Sequence, residues 1–176
     1  MFNIFRHRDH QPADDEHLYA PVSGQLVTLD QVSDPVFASQ AMGSGVGVVP
    51  ADDQAQTITV TSPAAAKVTM VAKCKHAIGL TMANGLQILI HMGVDTVSLK
   101  GKPFEIMVEK GQPVQPGQAL AQIDLQQIKA AALDPVIILA FTNAAEQLLR
   151  FSLTAKGNVA QGKPIGKMIP ETEDDE

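Results

Sequence analysis

Glycine and proline interrupt this chain so often that no long element fits between them. From residue 18 to residue 169, apolar segments of four to seven residues are closed off by Gly or Pro every eight to twelve residues. Such spacing predicts an all-β sandwich or barrel. Aromatic residues make up only 4% and Trp is absent, so the core must be built from Val, Ile, Leu, Ala and Met. Helix is confined to short pieces. Residues 125–133, "LQQIKAAAL", predict two turns before Asp134-Pro135, and residues 143–149, "NAAEQLL", predict another with Asn143 as N-cap.

Two internal echoes predict a sandwich of related halves. "APVSGQLVTL" at 20–29 resembles "SPAAAKVTMV" at 62–71. The series Val114, Gly117, Leu120, Ile123 matches Val159, Gly162, Ile165, Met168, each a strand end, a glycine turn and a new strand. The folded domain is expected at 18–169, with residues 1–17 a flexible polar lead-in and 170–176 an acidic flexible tail.

Composition excludes several classes. The net charge of −6, with no dense basic cluster, argues against nucleic acid as a partner. A single cysteine cannot form an intrachain disulfide and fits a reducing compartment, so a cytoplasmic location is expected. No apolar run reaches the roughly 18 residues of a membrane span. The opening "MFNIFRHRDH" is too short in its apolar part for a secretory signal.

The chemistry concentrates in "LQILIHMGVDTVSLKG", residues 86–101. Side-chain alternation puts Leu86, Ile88 and Ile90 on one face and Gln87, Leu89 and His91 on the other. His91 thus ends a strand on the outward face, and Gly93 two residues on leaves room beside it. His76 lies on the preceding strand, across an expected Asn84-Gly85 hairpin. A two-residue turn would leave the two histidines about two residues out of line, close enough for a pair. Metal, acyl-transfer and nucleotide chemistry each lack parts. Two imidazoles supply half of an ordinary zinc set, so His76 and His91 would hold zinc only at an interface where a partner adds ligands. No Gly-x-Ser-x-Gly elbow is present, and Gly43-Ser44-Gly45-Val46-Gly47 lacks the Lys-Ser/Thr of a P-loop and reads as a turn into a strand at 46–49. A histidine acting as covalent nucleophile, with a neighbouring imidazole stabilising the transferred group, needs no cofactor.

Taken in order, "APVSGQLVTLDQVSDPVFASQAMGSGVGVVP", "SPAAAKVTMVAKCKHAIGLTMANGLQILIHMGVDTVSLKGKPFE", "VEKGQPVQPGQAL" and "LDPVIIL" give the chain its family likeness. It resembles the glucose-type IIA proteins of the bacterial phosphoenolpyruvate-dependent sugar phosphotransferase system. The resemblance implies a compact antiparallel β-sandwich, a duplicated and barrel-like motif. It implies a phosphotransferase component in which His91 accepts a phosphoryl group from phospho-HPr, on the nitrogen remote from the backbone. His76 would help pass the group to a cysteine of the IIB domain of a sugar permease, and through that permease the protein would meet the membrane. Asp34 and Asp95 match acidic positions at the site's edge, and Phe37, Ile78 and Leu89 are expected in the docking rim. Cys74 stands where the family often has Thr, a better hydrogen-bonding partner for an imidazole. Ala72, Ile78 and Leu89 occupy positions where better-known members carry Phe. A purely regulatory binding protein, with phosphorylation gating permeases or kinases, is the competing reading. Zinc peptidases of the lysostaphin type share a related sandwich, but their His-x-His reads Leu89-Ile90-His91 here.

Overall fold

Residues 16–51 and 56–172 are described by the computed structural model. Among the described residues fourteen strands follow one another: β1 His17–Tyr19, β2 Gly24–Thr28, β3 Ser44–Pro50, β4 Thr57–Thr61, β5 Ala66–Val71, β6 Ala77–Thr81 and β7 Gln87–Met92. Then come β8 Phe104–Ile106, β9 Pro113–Val114, β10 Ala119–Asp124, β11 Ile137–Phe141, β12 Leu149–Leu153, β13 Asn158–Val159 and β14 Pro164–Pro170. Two short helices, α1 (Pro35–Ala38) and α2 (Leu125–Ala130), and 3-10 turns at Leu29–Gln31 and Thr96–Leu99 complete the elements of the described residues.

All pairings are antiparallel. The main sheet runs β13-β2-β3-β11-β7-β6-β5-β9, and two three-stranded sheets run β1-β14-β12 and β4-β10-β8. These orders are symmetric. Replacing β1, β2, β3, β11, β12, β13 and β14 by β4, β5, β6, β7, β8, β9 and β10 reproduces every pairing, with the exchange centred on the β11–β7 contact. The two sequence echoes fall on matching strands, β2 with β5, and β9–β10 with β13–β14. The expected sandwich of related halves is present, whereas the main sheet ends in the two-residue strands β13 and β9 and does not close into a barrel.

Alternation in β7 holds as the sequence predicts. Ile88, Ile90 and Met92 are buried in the main core, where they meet Leu80, Leu139 and Phe141. The opposite face is covered only in part. There Leu29, Val32, Phe37, Val94, Val136, Ile138 and Ala140 form a second, smaller core over β11, with Leu89 packed at its margin.

Several boundaries move. His17 already pairs with Lys167, and Pro170 pairs with Leu149, so order extends past both expected edges, while residues 1–15 and 173–176 lie outside the described residues. Strand β3 begins at Ser44 rather than 46, because its glycines fit directly against β11. Helix α2 forms within the expected 125–133 but ends at Ala130, and it is capped by the Asp124 carboxylate. Residues 143–148 are turns, not a helix. Asn143 spends its amide elsewhere, accepting from Gln87 N (2.7 Å) and donating to Gly85 O (2.9 Å), which fastens this segment to the β6–β7 hairpin. Among the described residues no helix is long and apolar enough to cross a membrane.

Candidate functional site

The hairpin joining β6 to β7 sets the histidine pair. Gly85 takes a positive φ of 87° and donates to Met82 O (2.9 Å), while Met82 N bonds Leu86 O (2.9 Å). The loop is therefore three residues, Ala83-Asn84-Gly85, rather than two. That moves the register: His91 lies opposite Ala77, and His76 O accepts from Met92 N (2.8 Å). The histidines are one residue out of line, closer than the sequence suggests. Strict alternation would send neighbours 76 and 77 to opposite faces. A tight turn prevents this: Lys75 adopts φ 61° and its N–H bonds Ala72 O (2.9 Å), so His76 enters from a bend. The rings of His76 and His91 meet edge-on, 5.2 Å between centroids and 79° between planes.

His91 is gripped from the other side by Phe37, 4.9 Å away at 55°. Phe37 sits in α1, whose first turn is capped by the Asp34 carboxylate accepting from Val36 N (2.8 Å) and Phe37 N (3.4 Å). Below His91 the chain turns at Gly93, φ 81°, whose N–H bonds Val136 O (2.8 Å). A side chain there has no room, since a Cβ would lie 2.5 Å from Thr96 Cγ2 and 3.1 Å from Asp134 O. The gap expected beside Gly93 is thus filled by Thr96. Thr96 is buried, and its hydroxyl donates to Met92 O (2.6 Å). Sequence reasoning missed Thr96, for which Gly93 and Asp95 just before it were the only turn signals on offer. It also missed Asp134, whose carbonyl accepts from Val94 N (2.9 Å) and whose carboxylate accepts from Ser33 Oγ (3.3 Å) and Val136 N (3.0 Å).

Both Nδ1 atoms are buried without a hydrogen-bond partner, which leaves Nε2 as the solvent-side nitrogen of each half-buried ring. Burial lowers the His91 pKa below the ordinary 6.5, and the charge of His76 lowers it further. The Gly93 backbone, and the charges of Asp34 and Asp95, pull the other way without reversing the shift. The Gly93 carbonyl therefore acts on the ring as a nearby dipole rather than through a well-formed hydrogen bond. Burial also lowers His76. At neutral pH both rings carry a free lone pair.

The remaining expected residues separate. Asp95 is exposed, in the left-handed position that starts the Thr96–Leu99 turn. Cys74 is half-buried in the turn before His76 and supplies its Nδ1 with no hydrogen bond. Leu89 is half-buried on the outer face beside His91. Two expected rim residues are corrected. Ile78 is 0% exposed, because it faces the main core opposite Ile90. Phe37 is 5% exposed and packs on His91 instead of offering itself to a partner. The apolar residues open near the site are Val36 (48%) and Val97 (49%), with Met70 over Gly79 beside Leu89. A cleft of about 580 Å³ lined by Ala66, Thr69, Thr81 and Val114 contains neither imidazole. Among the described residues no three His, Cys, Asp or Glu side chains gather as a metal set.

Two half-buried imidazoles thus meet edge-on at the surface of an antiparallel sandwich, with Leu89 beside His91 and Val36 and Val97 exposed on the neighbouring turns. Residues 16–147 match the family described as phosphoenolpyruvate-dependent sugar phosphotransferase system, EIIA 1, and the chain belongs to that family. It is 42% identical over 124 residues to the glucose-specific EIIA component of Staphylococcus epidermidis (strain ATCC 35984), covering 69% of this chain and 72% of that protein. It is 38% identical over 153 residues to the glucose-specific EIICBA component of Streptococcus pneumoniae, covering 87% of this chain. The chain spans about a fifth (20%) of the length of that multidomain relative. Its fold matches the glucose permease IIA of Mycoplasma capricolum with a TM-score of 0.74 at 30% identity, over 85% of this chain and 93% of that one.

Proposed function

We propose that this chain is a phosphocarrier of a sugar phosphotransferase system, loaded on His91 Nε2 by phospho-HPr and discharged to a IIB-domain cysteine. The observation that carries the reading is the edge-on imidazole pair, each with Nδ1 buried and Nε2 turned to solvent. In loading, the Nε2 lone pair attacks the phosphorus of the donor's phosphohistidine. The new N–P bond forms as the donor's N–P bond breaks, and the donor imidazole recovers its electron pair. In discharge, a thiolate attacks the same phosphorus and the electron pair returns to Nε2. Neither step needs the protein to do more than align the groups and balance charge. Lowered pKa values favour the neutral ring before loading, and with its one proton on Nδ1 the Nε2 lone pair is free to attack. A phosphoryl dianion on His91 raises the pKa of the adjacent His76, so that His76 gains a proton and holds a phosphoryl oxygen as a cation.

The test separates the two histidines. With enzyme I, HPr and phosphoenolpyruvate, His76→Ala should load to near the wild-type level and pass phosphate to a IIB domain at least about a hundredfold more slowly. Equal discharge by His76→Ala would remove His76 from the mechanism.

A further inference from the structure

The two related halves of the sandwich differ in what covers the main sheet. In the half built on β2 and β3, the connection between these strands, residues 29–43, folds back over the sheet and supplies Leu29, Val32 and Phe37 to the second core. Val27 and Val49 pack against it, and a Cβ on Gly47 of β3 would lie 2.8 Å from Val27 Cγ2 and 3.1 Å from Val136 Cγ2. In the half built on β5 and β6, the corresponding connection is only the turn at residues 72–76. Lys67 and Thr69 of β5 are left exposed, while Val68 and Leu80, on the opposite face, are buried. The register differs as well. β2 pairs with β3 residue for residue, whereas β5 slips against β6 between Val68 and Met70, which makes Thr69 an extra residue. Its hydroxyl lies 3.2 Å from that of Thr81.

The cleft of about 580 Å³ opens here, at the beginning of β5, between β9 and the end of β6. Ala65, Ala66, Met82, Ala83, Pro113 and Val114 give it apolar walls. Its polar groups are few: the Gln115 amide, the two threonine hydroxyls and the Lys67 ammonium, the only charged group among the described residues that line it. Two hydroxyls bonded to each other use one proton between them, so a second O–H is available to a ligand. Volume and lining are those of a small-molecule site, mostly apolar with a few polar anchors.

We infer that this cleft binds a small amphipathic anion, a free carboxylate whose apolar body lies against Met82 and Val114 and whose charge meets Lys67. The hydroxyl pair donates a further hydrogen bond. A neutral apolar molecule would leave the ammonium without its counter-charge, and a small polar one would gain nothing from the apolar walls. The site is separate from the histidine pair. Thr81 lies four positions along β6 from Ala77, the residue opposite His91, a distance of about 13 Å along the strand. The inference stands apart from the phosphocarrier reading.

The test titrates octanoate into the full-length protein and follows the methyl groups of Met, Ala and Val by NMR. Saturable shifts are expected at Met82, Val114, Ala65, Ala66 and Ala83, with half-saturation at about 0.5 mM or below. The imidazole resonances of His76 and His91 should stay in place. Octanol, of the same chain length without the charge, should bind at least about fivefold more weakly. Lys67→Glu should weaken octanoate about tenfold by replacing an attraction with a repulsion, and Lys67→Arg should stay within about twofold of wild type. Both variants change an exposed side chain, and an otherwise unchanged methyl spectrum shows that each is folded. No saturation by about 5 mM octanoate would overturn the inference. So would equal affinity for octanol and octanoate, an unchanged affinity in Lys67→Glu, or shifts centred on the histidine face instead of the cleft.

Discussion

Gly93→Ala tests how tightly the turn below His91 is built. A Cβ at residue 93 would sit 2.5 Å from Thr96 Cγ2, about 1 Å inside ordinary contact, and 3.1 Å from Asp134 O. Thr96 cannot retreat without breaking its 2.6 Å bond to Met92 O, since the residue is fully buried. Overpacking of this kind costs about 1–3 kcal/mol. The positive φ of 81° adds about 1 kcal/mol for any residue with a Cβ. The expected loss is therefore about 2–4 kcal/mol, read as a lower midpoint in urea unfolding at unchanged slope. Removing the opposing methyl should relieve only the contact. Thr96→Ser keeps the hydroxyl, so Gly93→Ala/Thr96→Ser should be more stable than the sum of the single changes by about 1–2 kcal/mol. Loading of His91 should follow the same order, because the Gly93 carbonyl faces its ring. A Gly93→Ala protein within 0.5 kcal/mol of wild type, or a double variant that is merely additive, would refute the packing account.

Acid should weaken the fold through the histidine pair. Both folded pKa values lie below the ordinary 6.5, so the unfolded chain binds more protons just below that pH. This contribution is present above pH 6.5 and is lost as pH falls through the lowered values. Unfolding of wild type and His91→Gln compared at pH 7.5 and 5.5 should show a smaller acid loss in the variant, and an equal loss would remove His91 as the cause. At α1, Asp34→Ala should cost about 1 kcal/mol by uncapping the turn that carries Phe37. Asp34→Asn should keep the cap and lower the His91 pKa further, as read from the imidazole resonances by NMR, and a rise would contradict the charge assignment.

Much of this arrangement can be read from the sequence. Period-two alternation placed Ile88 and Ile90 inward and His91 outward, and the glycine-spaced echoes anticipated β9–β10 and β13–β14. What was hidden depends on backbone turns and distant partners. The hairpin register turned on whether Gly85 stood second or third in its loop, and the facing of His76 on a left-handed Lys75. The misread helix at 143–149 failed because Asn143 found its hydrogen bonds more than 50 residues away, at Gly85 and Gln87. Ile78 was taken for a rim residue by position, although in the true register it lies opposite the inward Ile90. Thr96 and Asp134 do their work through contacts with Met92 and Val94 that only the folded chain brings together.

The proposed seat of the phosphoryl group, His91, is tested most directly by locating the phosphate. The protein, enzyme I, HPr and phosphoenolpyruvate would be mixed, and the added phosphate located by mass spectrometry under mildly alkaline conditions that preserve phosphohistidine. One phosphate is expected, on His91, and none on His91→Ala. Phosphate on another residue, or none while the same HPr loads a control acceptor, would contradict it.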